Sequence, residues 1–144
     1  MAKSKSFVAL ALLALGWRIP AFGGPQMKGG GCVYRDCPGT ATVTAIRSAP
    51  AGAYNCPREP VEVVFTFVPK NPRHASLRAE GQLLTVGAGM NPPRAFVEHL
   101  GIAVGKSYRC LRREIVSGTC TPTVYEFQAL PLADFAPWCW PPSS

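Results

Sequence analysis

GIAVGKS, residues 101–107, is the stretch whose reading decides the fold. A phosphate-binding loop reads G-x-x-x-x-G-K-[ST]. It follows a buried strand and opens a helix, so that backbone N–H groups and the helix dipole meet the anion. Here only Ile102, Ala103 and Val104 separate Gly101 from Gly105, one residue fewer than the loop requires. The flanks are inverted as well. Upstream, MNPPRAFVEHLG (90–101) places an N-cap at Asn91, a first-turn proline at Pro92, an apolar stripe of Phe96, Val97 and Leu100, and a terminating glycine at Gly101. Downstream, GKSYRCLRREIV (105–116) reads as a strand. The stretch is therefore the end of a short helix and the start of a strand, and nucleotide chemistry drops out.

Working outward, the rest of the chain reads as β. ATVTAI (41–46) alternates with β-branched side chains, and VEVVFTFVP (61–69) sets Val61, Val63, Phe65 and Phe67 on one face. The connection between them, RSAPAGAYNCPREP (47–60), holds three prolines and Cys56, which makes it a long loop pinned by that cysteine. KNPRHASLRAEG (70–81) leads to QLLTVGAG (82–89), whose first half is strand-like, and TCTPTVYEF (119–127) supplies a last strand. A tight turn at Ser117 and Gly118 joins the final two strands, with Pro122 marking an edge or bulge. The aromatic tail ADFAPWCWPPSS (133–144) is expected to cap one end of the core with Phe135, Trp138 and Trp140.

Three strands, a helix and two strands is the order of a five-stranded OB-like barrel with one short helix between strands 3 and 4. LGIAVGKSYRCLRREI (100–115) resembles the glycine-bounded lead-in to the fourth strand of many small β-barrel modules. The last two thirds of the chain is similar to small exported bacterial OB-like β-barrel proteins of undefined function that pair such a barrel with cysteines. No functional residue transfers from that resemblance.

The first residues point to export. Lys3 and Lys5 precede an apolar run, FVALALLALG (7–16), followed by WRIPAFGG. This is the order of a signal peptide, 1–23, and the run is about half the roughly twenty residues that a membrane span needs. A retained anchor and a lipid-modified Cys32 rank below simple cleavage after Gly23. GPQMKGGG (24–31) then reads as a flexible linker, and 32–144 as the domain with its aromatic and proline-rich tail. Removing Lys3, Lys5 and Arg18 lowers the formal charge from +7 to +4. That balance favours solubility without implying a nucleic-acid partner.

Six cysteines, Cys32, Cys37, Cys56, Cys110, Cys120 and Cys139, all follow the signal and are expected in disulfides. No C-x-x-C occurs, and His74 and His99, the two histidines, stand beside no cysteine in sequence, so neither a metal site nor a redox dithiol is expected. A two-residue turn at 117–118 would oppose Cys110 to Tyr125 and put Cys110 and Cys120 on opposite faces, which argues against their pairing. VGAGMNPP (86–93) suggests an anion site at a helix start, but Pro92 and Pro93 remove two of the N–H donors it would use. No serine has a nucleophile-elbow context, and Glu98-His99 is not part of H-E-x-x-H.

The remaining candidate site is the basic hairpin: Lys106, Tyr108, Arg109, Arg112, Arg113 and Tyr125. OB-like barrels bind polymers with aromatic and basic side chains. Alternation nevertheless splits Arg109 and Arg113 from Lys106 and Arg112, which favours a solvated face over a polyanion site. The expected function is a secreted or periplasmic, non-enzymatic binding module for a protein, glycan or envelope polymer. It needs no cofactor and has no stable membrane anchor after cleavage. The alternative is a small secreted hydrolase or thiol redox enzyme.

Overall fold

The computed structural model describes residues 27–28, 31–50 and 55–140. The expected signal segment lies outside them, as do 141–144 and the linker residues other than Met27, Lys28 and Gly31. Five strands form one antiparallel sheet: β2 (Cys32–Ser48), β3 (Val61–Pro69), β4 (Ala79–Leu84), β5 (Ser107–Ser117) and β6 (Thr123–Phe127), in the spatial order β4-β3-β2-β5-β6. A short helix, α1 (Arg94–His99), lies between β4 and β5 in the chain, and α2 (Ala136–Cys139) closes the tail. The strand and helix order follows the expectation, but no backbone pairing joins β4 to β6 among the described residues, so the sheet is not closed into a barrel. Within the expected linker, Met27–Lys28 forms β1 and pairs with Cys32 and Val33. Gly31, at φ 82°, adopts a left-handed conformation between them that costs glycine little.

The long β2 organises the sheet, pairing with β3 along residues 39–48 and with β5 along 33–42. Register shifts between Val43 and Ala45 and between Phe65 and Phe67 insert extra residues. Such bulges bend a strand and increase its twist. The inner face of the coiled sheet carries Ala41, Val43, Val61, Val63, Phe65, Phe67, Leu84 and Phe127, all buried, with Val97 of α1 and Ile102 packed against them. Phe65 meets Tyr125 and Phe127 edge-on, each at 5.1 Å, and Phe67 lies 5.6 Å from Tyr125. Aromatic pairs in such geometries contribute about 0.5–1.5 kcal/mol beyond their buried area.

Three local expectations are corrected. The helix starts at Arg94, with Pro93 as its N-cap and no side-chain cap. Asn91 and Pro92 each precede a proline and are driven from the helical region, and Pro93, at ψ 145°, is the last extended residue before the helix. Asn91 instead donates to Asn55 Oδ1 at 2.8 Å. Gly101 does terminate the helix, at φ 68°. The β5–β6 turn is also longer than two residues. Cys110 faces Phe127, Arg112 faces Tyr125 and Glu114 faces Thr123, a shift of two residues that keeps each side chain on its expected face. The loop reaches out because Cys120 is bonded to Cys32 at the start of β2. The third correction concerns the cysteines. Cys56 is bonded to Cys139, but Cys37 and Cys110 are free and buried.

The two disulfides join residues 88 and 83 positions apart in sequence. By the chain-entropy account, bridges closing loops of this size contribute about 4–5 kcal/mol each. Of the three tail aromatics expected to cap the core, Trp138 packs on α1, while Trp140 stacks on Phe135 and is 44% exposed. Trp138 lies 4.7 Å from the His99 ring and 6.1 Å from Phe96, which gives His99 an aromatic neighbour in place of a fully solvated helix end.

Gly39 sits where β2 passes under Phe67, and a Cβ there would lie 2.4 Å from the Val68 carbonyl oxygen and 2.5 Å from the Phe67 ring. Because the nearest atom is backbone, the clash cannot be relieved by a rotamer change. Gly39→Ala is expected to destabilise the protein by about 1–3 kcal/mol, the usual range for overpacking. Thermal unfolding followed by circular dichroism should show a midpoint several degrees lower, and an unchanged midpoint would contradict the contact.

Candidate functional site

Strand alternation disperses the expected basic hairpin. On β5, Tyr108, Cys110, Arg112 and Glu114 face inward, while Arg109, Leu111, Arg113 and Ile115 face outward. Lys106 donates to the Gly101 carbonyl at 2.8 Å, and the Tyr108 hydroxyl reaches the same oxygen at 3.5 Å. Arg113, with its side chain 13% exposed, lies 3.3 Å from Asp36 and 3.2 Å from Glu126. Arg112 is 15% exposed, pairs with Glu114, donates to the Leu77 carbonyl at 2.5 Å and lies over the Tyr125 ring at 5.8 Å. The structure thus brings Arg112 to Tyr125 and, separately, Lys106 to Tyr108, and Arg112 and Arg113, the two least exposed of the four cations, are already committed to carboxylates. Lys106 and Arg109 are both exposed, and neither has a carboxylate partner among the described contacts.

What the fold builds instead is a groove between its two terminal strands. Four successive antiparallel pairings separate β4 from β6, so the two strands run in the same direction. Coiling of the sheet turns their edges toward one another, with Phe65 packed on Tyr125 and Phe127 beneath. A cavity of about 580 Å³ lies between the edges, walled by Gln82, Leu84 and Thr85 on one side and Thr123, Tyr125 and Phe127 on the other. A second of about 560 Å³ shares Thr85, Tyr125 and Phe127 and continues along β6 toward Leu130 and Phe135. Volumes of this order suit a small ligand or a short polymer segment. The wall of the first cavity contains no charged side chain. Its deep end is ordered by the Thr123 hydroxyl, which donates to Glu114 Oε1 at 3.1 Å. Tyr125, which the sequence singled out, lines this cavity, whereas Gln82, Thr85 and Thr123 carried no sequence signal, because nothing in a lone threonine shows that two distant strand edges will come beside it.

A second cluster lies on the same inner face. Cys37 Sγ is 3.6 Å from His74 Nδ1, in the 3-10 turn Pro72–Leu77, although 37 residues separate the two in sequence. The Cys37 thiol is raised above its ordinary pKa chiefly by burial; the Arg112 charge pulls it down and that of Glu114 pushes it up. Cys110, the diagonal neighbour of Cys37 across β2 and β5, is pushed up to about 12 by burial. A thiol reacts as thiolate, so both cysteines are held in the unreactive form at neutral pH. No group of three or more metal-ligating side chains occurs among the described residues.

The chain matches no protein-family model, no curated protein and no solved structure.

Two measurements check the cysteine chemistry. At pH 7.5 the native protein should take up no iodoacetamide. Denaturation without reduction should expose two thiols, Cys37 and Cys110, and denaturation with reduction all six. Because the folded-state pKa of Cys110 lies above the unfolded value of 9.0, its contribution to stability is complete below pH 9 and is lost as pH rises toward 12. Tyr108 and Tyr125, also raised by burial, add a loss above pH 10. Thermal midpoints should therefore fall steeply above pH 9, and less steeply in Cys110→Val.

Proposed function

We propose that this protein is an exported, non-enzymatic binding module of OB-like barrel architecture that takes its ligand, a protein segment, glycan or envelope polymer, in the groove between β4 and β6. The strand order β4-β3-β2-β5-β6, with α1 between β4 and β5, supports the OB-like reading, in which the groove stands at the seam that would close the barrel. Two disulfides support an oxidising compartment. No helix among the described residues is long and apolar enough to cross a membrane. The observation that carries the reading is the groove itself: two uncharged walls, an aromatic floor and no convergent nucleophile, base or carboxylate pair.

One contact favours the alternative, a thiol enzyme: the 3.6 Å approach of Cys37 to His74. A Cys–His pair activates a nucleophile when the imidazole takes the thiol proton. Against that role stand the 2% exposure of Cys37 and its raised pKa, both of which favour a structural pair.

The test is a groove-filling substitution. Full chain carrying Thr123→Trp should lose at least tenfold in affinity for ligands selected from a peptide library and a glycan array. Val104→Ser, on the exposed loop before β5, should bind as the unmodified protein does. Equal affinity in Thr123→Trp would overturn the groove as the binding site.

A further inference from the structure

We infer that the ligand of this groove is an uncharged, extended polypeptide strand of about five to seven residues, inserted antiparallel to both β4 and β6. The inference rests on the groove reading above and deepens it.

The hydrogen-bond register shows which backbone groups face the opening. The Ile115 N–H donates to the Pro122 carbonyl at 2.8 Å and the Gln128 N–H to the Arg109 carbonyl at 3.3 Å. In an antiparallel ladder successive residues direct both backbone groups to alternate sides. Residues 122, 124, 126 and 128 therefore bond to β5, and Thr123, Tyr125 and Phe127 aim their N–H and C=O groups at the groove. The same reasoning applies across the sheet. The Ala49 N–H donates to the Pro60 carbonyl and the Lys70 N–H to the Pro38 carbonyl, each at 2.9 Å, so even-numbered residues of β3 bond to β2 and odd-numbered ones to β4. Val63 pairs with Leu84 and Phe65 with Gln82, which leaves Leu83 between them directed at the groove. Leu83 is 42% exposed, as befits an open edge.

The β6 wall thus presents backbone donors and acceptors at strand spacing and the β4 wall those of Leu83, the pattern that a polypeptide strand matches and a glycan does not. Direction selects the mode. β4 and β6 run the same way, so pairing them directly would be parallel, the slightly weaker arrangement, while one strand between them is antiparallel to both. Charge selects the composition. No charged side chain lines the first cavity among the described residues, and the charges beside it are already paired, Glu114 with Arg112 and Glu126 with Arg113, so a charged residue buried there would lose hydration without a free counter-charge. Leu84, Tyr125 and Phe127 on the inner side favour apolar residues at alternate positions of the strand. Thr123 to Phe127 spans four steps of about 3.4 Å, or about 14 Å, which sets the length.

The experiment selects uncharged nine-residue peptides from a displayed library on the immobilised full chain, then synthesises the best binder with backbone N-methyl groups on either alternate set of residues. One set bonds β4 and the other β6, so methylating either is expected to weaken binding at least tenfold. Bound peptide is expected to slow amide exchange at Leu83, Thr123, Tyr125 and Phe127. Leu83→Pro and Thr123→Pro remove an N–H aimed at the groove while sparing the ladders to β3 and β5. Both variants should keep the thermal midpoint within a few degrees and lose at least tenfold in affinity. The inference is overturned if no peptide is selected, if either methylated set binds undiminished, or if both proline variants bind normally. It is overturned too if the edges prove to be covered by a second copy, seen as a dimer that Leu83→Pro dissociates. If Thr123→Trp abolishes binding of a selected ligand while N-methylation does not, strand insertion fails and the groove reading survives. If Thr123→Trp has no effect on any ligand, the groove reading itself fails.

Discussion

The contact on which the rest depends is the one between the inner faces of β3 and β6, where Phe65 packs edge-on against Tyr125 and Phe127. These strands are not neighbours in the sheet; β2 and β5 lie between them. The contact exists because bulges in β2 and β4 coil the sheet until its far side returns over its own inner face. Side-chain packing, and not a backbone ladder, therefore brings the terminal strands together. That difference leaves a groove where a closed barrel would have a seam, and it keeps the backbone groups of two edges directed into it.

The inward face of β5 carries partly buried charge beside aromatics. Arg112 and Glu114 stand two residues apart on the inward face of β5, with Tyr125 beneath the guanidinium and Leu77 accepting from it. Partial desolvation of such a pair carries a cost unless the remaining hydrogen-bonding groups are met, and here the Leu77 carbonyl and the Thr123 hydroxyl meet part of that need. The arrangement has a second effect. By donating to the Leu77 carbonyl, Arg112 ties β5 to the turn that precedes β4.

The cysteines divide by the same geometry. Cys32–Cys120 and Cys56–Cys139 fasten loops and the tail to the sheet, where strand pairing does not reach. Cys37 and Cys110 stand inside the sheet as small apolar side chains, on adjacent strands and at diagonal positions. Counting cysteines in an exported chain predicts bridges for all six. Position on the inner face accounts for why two of them pack and do not bond.

The sequence by itself determined the elements: the alternation of VEVVFTFVP, the glycine stop at Gly101 and the opposite faces of Arg109 and Arg112 all rest on local periodicity and backbone preference, which act within a few residues. It also sufficed to reject a nucleotide loop, because spacing and flanking elements are local too. Only the tertiary structure decided the β5–β6 register, the approach of His74 to Cys37 and the meeting of Thr85 with Thr123 across the groove. Each depends on bulges, a disulfide or sheet coiling that brings together residues far apart in the chain, and no local pattern carries that distance.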